Sequence, residues 1–142
     1  MKISDIMSRD VQVARPEDTL RDAAETMARI DVGSLPVCDG RRLQGIVTDR
    51  DIVVRGLAKG LGPDSGVTQV MTEGVEYCFE DDDLVEVSDK MAASQIRRIP
   101  VVDRDKNLVG IVSLGDVARE ARPAESGDVL EEVSQPGGNN LQ

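Results

Sequence analysis

The chain has 142 residues, enough for one compact domain or for two small units that share a core. With 17 Lys and Arg against 27 Asp and Glu it carries a net charge of −10, a sign that repels a phosphate backbone and argues against nucleic acid as a partner. Histidine is absent, which removes the commonest general base and the commonest transition-metal ligand, and with them ordinary hydrolase and zinc chemistry.

The first ten residues, MKISDIMSRD, place Asp5 and Asp10 where a signal peptide needs an apolar run, and no later stretch approaches membrane-spanning length. The expectation is a soluble cytoplasmic protein with no membrane partner. Val11 and Val13 alternate with polar residues as a short strand, which Pro16 ends. Asp18 or Thr19 caps a helix whose inner face is Leu20, Ala23, Ala24, Met27 and Ile30. SLPVC and RLQGIVT follow as two strands joined by the Asp39-Gly40 turn, and Thr48 leads into a helix written DRDIVVRGLAKGL. Gly60, Gly62, Pro63 and Gly66 mark a linker.

The same order then returns. Val75 to Phe79 reads as a strand, Leu84, Val87 and Met91 as the inner face of a helix, IRRIPVV and LVGIVS as strands, and Leu114 to about Ala121 as a helix. Leu35, Pro36 and Val37 recur as Ile99, Pro100 and Val101; upstream, Met7, Val11, Leu20 and Met27 align with Met71, Val75, Leu84 and Met91. A repeat of that length is a structural unit. The expected organisation is a first repeat over 1–61, a linker over 62–66, a second repeat over 67–121 and a tail over 122–142. Its end, with PGGNN, reads as flexible, and Val129, Leu130 and Val133 suggest one short helical turn within it. The fold class is α+β, each repeat running β-α-β-β-α. Too apolar-poor to cover both faces of its own sheet, each copy is expected to pack on the other about a pseudo-twofold axis, leaving two related clefts.

A chemical motif sits at the same place in both copies. The pattern G-h-h-[TS]-x-x-D, with h apolar, occurs as GIVTDRD at 45–51 and as GIVSLGD at 110–116. A strand delivers a hydroxyl to the first turn of a helix, and a carboxylate follows three residues later. Backbone amides and the helix dipole there favour an anion such as a phosphate. The carboxylate, an acceptor only, suits the vicinal hydroxyls of a ribose. The same spacing is also close to a helix capping box, which only satisfies backbone amides, so both roles stay open. Tyr77 and Phe79 are the only aromatics, so a ligand base has to lie between aliphatic side chains. Cys38 and Cys78 have no ligand or redox spacing and read as buried thiols, with a disulfide between them left open.

These residues together resemble a pair of cystathionine-beta-synthase-type (CBS) domains, a Bateman module, over about residues 1–121. DIM and VMT at the starts of the copies, the h-P-V strands and both G-h-h-[TS]-x-x-D motifs carry the likeness, and TDRDIVVRGLAKGL is similar to stand-alone two-CBS proteins such as the bacterial hypoxic response proteins. The resemblance implies a regulatory, non-enzymatic module that binds adenosine derivatives, usually AMP, ADP or ATP, and that forms a homodimer. By position, Asp51 and Asp116 would hold ribose hydroxyls and Thr48 and Ser113 would touch phosphate. The base would slot near Val11 and Val13, or Val75, against the backbone around Pro36 or Pro100. Arg50, Arg97 and Arg98 stand where relatives place phosphate-binding cations; otherwise they are solvated or paired with surface carboxylates. No catalytic residue, metal ligand or required cofactor is expected; the adenine nucleotide is a ligand, with or without magnesium on its phosphates.

The copies differ. Arg97 and Arg98 stand where the first copy has Gly33 and Ser34, and Asp49 and Arg50 stand where the second has Leu114 and Gly115, so the two sites are expected to bind unequally. With no catalytic or DNA-binding domain in view, the signal would pass to a separate effector protein. The competing expectation is a structural dimer whose nucleotide sites are vestigial.

Overall fold

The computed structural model describes residues 1–120. The tail, with the helical turn expected around Val129, Leu130 and Val133, lies outside the described residues. The chain divides into two compact units that do not follow the sequence repeats. Met1–Val11 joins residues 76–120, and Gln12–Val75 forms the other unit.

In the Gln12–Val75 unit, helix α1 (Leu20–Ile30) starts at Thr19, whose hydroxyl accepts from Asp22 N at 3.1 Å while Asp22 accepts from Thr19 N at 2.9 Å. This reciprocal cap holds the Asp22 carboxyl below its usual range, chiefly through the Thr19 backbone N–H. Leu20, Ala23 and Met27 turn inward as the 3.6-residue period requires, whereas Ala24 stays exposed. Strands β1 (Ser34–Asp39) and β2 (Arg42–Thr48) pair antiparallel across a two-residue turn, where Gly40 takes φ +62°. The two turn residues are Gly40 and Arg41, one position on from the expected Asp39-Gly40, because Asp39 stays in the ladder opposite Arg42 and the glycine takes the first turn position, where a positive φ is needed. The core gathers Ala14, Leu20, Met27, Leu35, Val37, Val47, Val67 and Val70.

Val11 and Val13 do not form the expected strand. Only Ala14 bridges to β1, donating to Pro36 O at 2.8 Å and accepting from Cys38 N at 2.9 Å, before Pro16 turns the chain away. The helix expected after Thr48 is wound wide, as a π-helical segment (Asp51–Gly56) followed by a 3₁₀ turn (Leu57–Lys59) that stops at Gly60, φ +85°. Gly56 makes room here, since a side chain at that point would meet Leu20 Cδ1 at 3.1 Å.

The other unit repeats the plan. Strand β3 is only Cys78–Phe79, shorter than the expected Val75–Phe79, and pairs parallel with β4 (Arg98–Val102), which pairs antiparallel with β5 (Leu108–Ser113). Helix α2 (Leu84–Ser94) is capped by Asp83 and buries Leu84, Val87 and Met91; α3 (Leu114–Glu120) follows β5. Asp31 and Gln95, which end α1 and α2, both adopt left-handed backbone, so the repeat extends to helix stops. The core here gathers Ile3, Met7, Cys78, Leu84, Val87, Met91, Ile99, Val101, Val112 and Val117.

The unit boundaries follow from the lead-in segments. Val67–Gln69, which opens the second repeat, is tied to the start of α1: Leu20 N donates to Ser65 O at 2.8 Å and Val67 N to Asp18 O at 2.9 Å. Ile3–Asp5, which opens the first, is tied to the start of α2 through Leu84 N to Met1 O and Ile3 N to Asp82 O, both 2.9 Å. Each lead-in then crosses a strand of the unit it joins. Thr72 exchanges backbone hydrogen bonds with Ile46 on β2, and Ser8 does so with Ile111 on β5.

Candidate functional site

The two G-h-h-[TS]-x-x-D motifs occupy equivalent places, at the end of β2 and at the end of β5. Thr48 N donates to Asp51 Oδ2 at 3.0 Å and Asp51 N to Thr48 Oγ1 at 2.9 Å. Ser113 N donates to Asp116 Oδ2 at 2.9 Å and Asp116 N to Ser113 Oγ at 3.2 Å. Both motifs are therefore reciprocal helix caps, and both acids are largely buried, Asp51 at 9% and Asp116 at 7% exposure.

Neighbouring amides are also taken. Asp49 N donates to Gly33 O, Arg50 N to Asp49 Oδ1, and in the second copy Leu114 N to Arg97 O. At the first start the amides of Thr48 to Asp51 are thus bonded within the chain, and at the second those of Ser113, Leu114 and Asp116, which leaves fewer amides for an anion than the sequence alone suggests. At the first start an anion has to be held by side chains.

What capping leaves over is one carboxylate oxygen per copy. Each Oδ2 is committed to the cap, whereas each Oδ1 faces away from it and meets an arginine. Asp51 Oδ1 lies 3.6 Å from Arg55 Nη1, which also donates to Thr72 Oγ1 at 3.2 Å, and Asp116 Oδ1 accepts from Arg119 Nη2 at 2.5 Å. Neither Arg55 nor Arg119 was among the residues singled out from sequence. Their signal was there, an arginine four or three residues after an acid on one helix.

The phosphate-binding candidates lie beside these starts. Arg98 is the cross-strand partner of Ser113, Arg97 receives the Leu114 amide on its carbonyl, and Arg50 precedes Asp51. None of the three makes an ion pair among the described residues.

The unit containing Thr48, Arg50 and Asp51 also contains Val13 and Pro36, on adjoining chains through Ala14 N and Pro36 O. The unit containing Arg97, Arg98, Ser113 and Asp116 contains Pro100. Val11 and Val75 fall across the boundary, Val11 with the second motif and Val75 with the first, because each ends a lead-in. Tyr77 and Phe79 are already engaged. They pack edge to face at 5.8 Å, Arg104 lies 4.1 Å over the Phe79 ring, and Lys106 lies 5.5 Å over Tyr77.

Cys38 and Cys78 are free thiols, each 1% exposed, which settles the pairing left open by sequence. Burial pushes Cys38 up to about 11 and Cys78 up to about 12, from an ordinary 9.0. Both stay protonated and unreactive at neutral pH. Above pH 9 the unfolded chain loses thiol protons that the folded chain retains, so stability is expected to fall as pH rises from about 9 toward 11 and 12. Urea midpoints measured at stepped alkaline pH check this. Replacing both cysteines by alanine should flatten the decline.

Among the described residues no three Cys, Asp or Glu side chains gather to hold a metal ion, and no helix is long and apolar enough to cross a membrane.

Comparison with known proteins places this geometry. A family model described as CBS domain matches residues 3–57 and 67–122. The uncharacterized protein YlbB of Bacillus subtilis is 41% identical over 137 residues, 94% of this chain and 92% of that protein. Hypoxic response protein 1 of Mycobacterium tuberculosis is 39% identical over 117 residues, 81% of each chain. The crystal structure of Hypoxic Response Protein I with two coordinated zinc ions is similar at 37% identity and TM-score 0.76, over 86% of this chain and all of that one. CBSX2 in complex with AMP is similar at 28% identity and TM-score 0.75, over 84% of this chain and 95% of that one. The CBS domain pair of protein MJ0100, with 5′-methylthioadenosine and S-adenosyl-L-methionine, is similar at 30% identity and TM-score 0.72, over 84% and 94%.

Proposed function

This chain belongs to the CBS-domain family, and from that premise we propose that it is a regulatory module that binds adenosine derivatives, AMP, ADP or ATP foremost, and signals to a separate partner protein. The observation that carries the reading is the carboxylate oxygen that capping leaves over. Asp51 and Asp116 each present Oδ1 outside the cap, and Arg50, Arg97 and Arg98, which make no ion pair among the described residues, lie along the same helix starts, as a ribose phosphate requires. Solved relatives that hold AMP, or methylthioadenosine and S-adenosylmethionine, share an adenosine moiety and support that ligand class. The zinc of the hypoxic response protein is not carried over, because this chain has no histidine and among the described residues no three Cys, Asp or Glu side chains gather to hold an ion. The proposed assembly is a homodimer. Val53, Val54 and Leu57 give it an apolar surface to cover, at 54%, 40% and 63% exposure.

Asp51→Asn separates ligand binding from capping. Asparagine keeps an oxygen for the Thr48 amide but turns a donor outward, so stability should stay close to wild type while AMP affinity at that site falls about fivefold. Calorimetric titration reads the affinity and thermal unfolding the stability. Unchanged affinity in both Asp51→Asn and Asp116→Asn would mean that the motif caps helices and nothing more.

That outcome would favour a second reading, a structural dimer with vestigial sites. Its supporting observation is that every hydrogen bond between the hydroxyl residue and the acid of the two motifs is a capping bond. A thermal-shift screen of adenosine compounds discriminates between the readings, since a ligand at a hundred times its Kd adds about 2.7 kcal/mol.

A further inference from the structure

The outer oxygens of the two acids are not in the same state. Asp116 Oδ1 already holds the Arg119 guanidinium at hydrogen-bond distance, 2.5 Å, whereas the closest cation to Asp51 Oδ1, Arg55, stands off at 3.6 Å. Two features account for the difference. The second copy's helix is α-helical over Leu114–Glu120 and presents Arg119 three residues after its acid; the first copy's is π-helical over Asp51–Gly56 and presents Arg55 four residues after. Arg55 is also drawn to Thr72, whose hydroxyl accepts from Nη1 at 3.2 Å. Arg119 has no such second acceptor among the described residues. Its side chain is 70% exposed and the Asp116 side chain only 9%, so the guanidinium covers the acid from the solvent side.

We propose that Arg119 is a built-in competitor for Asp116, so that the second copy binds the sugar of an adenosine derivative more weakly than the first. The inference rests on the reading that both acids accept ribose hydroxyls. A guanidinium and a hydroxyl are both donors toward Oδ1, and the acid's other oxygen is committed to Ser113 N. A sugar therefore has to displace a hydrogen-bonded Arg119 at the second copy, whereas at the first Oδ1 accepts no hydrogen bond from Arg55, which stands at 3.6 Å. The ion pair is solvent-screened on its arginine side, so the handicap is modest, about threefold in affinity.

The test uses adenosine itself, whose lack of phosphate separates competition at the sugar from loss of a phosphate contact. Calorimetric titration of the full chain is expected to resolve a stronger and a weaker site in wild type. Arg119→Met, which keeps an apolar stem and helix propensity but no donor, should tighten the weaker site about threefold and leave the stronger one unchanged. Arg55→Met should change neither site by more than about a third of that. The gain from Arg119→Met should vanish in an Asp116→Asn background, which ties it to that acid. Affinity that stays level or falls in Arg119→Met overturns the inference while leaving the nucleotide reading intact. Absence of adenosine binding in wild type and in every variant overturns both.

Discussion

Gly45→Ala is expected to lower stability by roughly 3 kcal/mol, and Gly110→Ala by roughly half as much, as overpacking against fixed and yielding neighbours predicts. A Cβ at Gly45 would stand 2.5 Å from Thr72 O, inside any tolerable contact. That oxygen belongs to backbone held in place on both sides, because Thr72 accepts from Ile46 N at 3.0 Å and donates to Ile46 O at 2.8 Å. Relief requires the lead-in to leave β2, and both hydrogen bonds go with it. At Gly110 the first atom met is Met7 Sδ at 2.6 Å, in an unbranched side chain that can re-orient, although Met7 Cγ and Ser8 O at 2.9 Å still press. Urea unfolding of both variants measures the difference. Stabilities near wild type would mean that the lead-ins do not bear on these strands. The expectation assigns the motif glycine a purely structural duty. It lets a lead-in pass, while the hydroxyl and acid farther along do the capping.

What could be read from the chain beforehand follows from how local each signal is. Helices α1 and α2 and the two hairpins rest on contacts a few residues apart, and Thr19, Asp39-Gly40 and the Leu84, Val87, Met91 face were all visible as patterns. The strands expected at Val11–Val13 and Val75–Phe79 are absent or shorter because alternation says nothing about a partner. Only Ala14 and Cys78–Phe79 find backbone to pair with. The exchange of lead-ins was hidden for a related reason. Met7 and Met71 were recognised as equivalent, but a repeat in sequence does not say which copy's strand each will cross. The π-helical winding of Asp51–Gly56 had no pattern of its own, since DRDIVVRG reads as ordinary helix.

The motif itself was legible and yet ambiguous, because one carboxylate has two oxygens and a sequence does not divide them. From sequence, capping and ligand binding compete for the same carboxylate. The coordinates assign Oδ2 of each acid to capping and leave Oδ1 outside it, so that capping and sugar binding are compatible on one side chain. Capping even prepares the acid for a ligand, by fixing its rotamer before anything binds.

The second large effect concerns phosphate. Because most amides around both helix starts are already bonded within the chain, a nucleotide's phosphate has to lean on arginine, and removing the arginine should separate AMP from adenosine. In the second copy Arg98 stands across from Ser113 and Arg97 is tied by its carbonyl to Leu114, so both side chains spring from backbone that touches the helix start. Replacing both by alanine is expected to weaken AMP at that site roughly thirtyfold and to leave adenosine unchanged, the loss of two charge-assisted bonds discounted for solvent. Arg97 is exposed and Arg98 half-buried, so the effect should shrink as salt is raised. The same comparison at the first copy needs only Arg50→Ala, since Gly33 and Ser34 occupy the places of Arg97 and Arg98 there. Titrations of AMP and adenosine into each variant at low and high salt decide the matter. If both ligands weaken together, the arginines support the fold rather than the phosphate; if only AMP weakens, the charge difference between the copies becomes a difference in what each one senses.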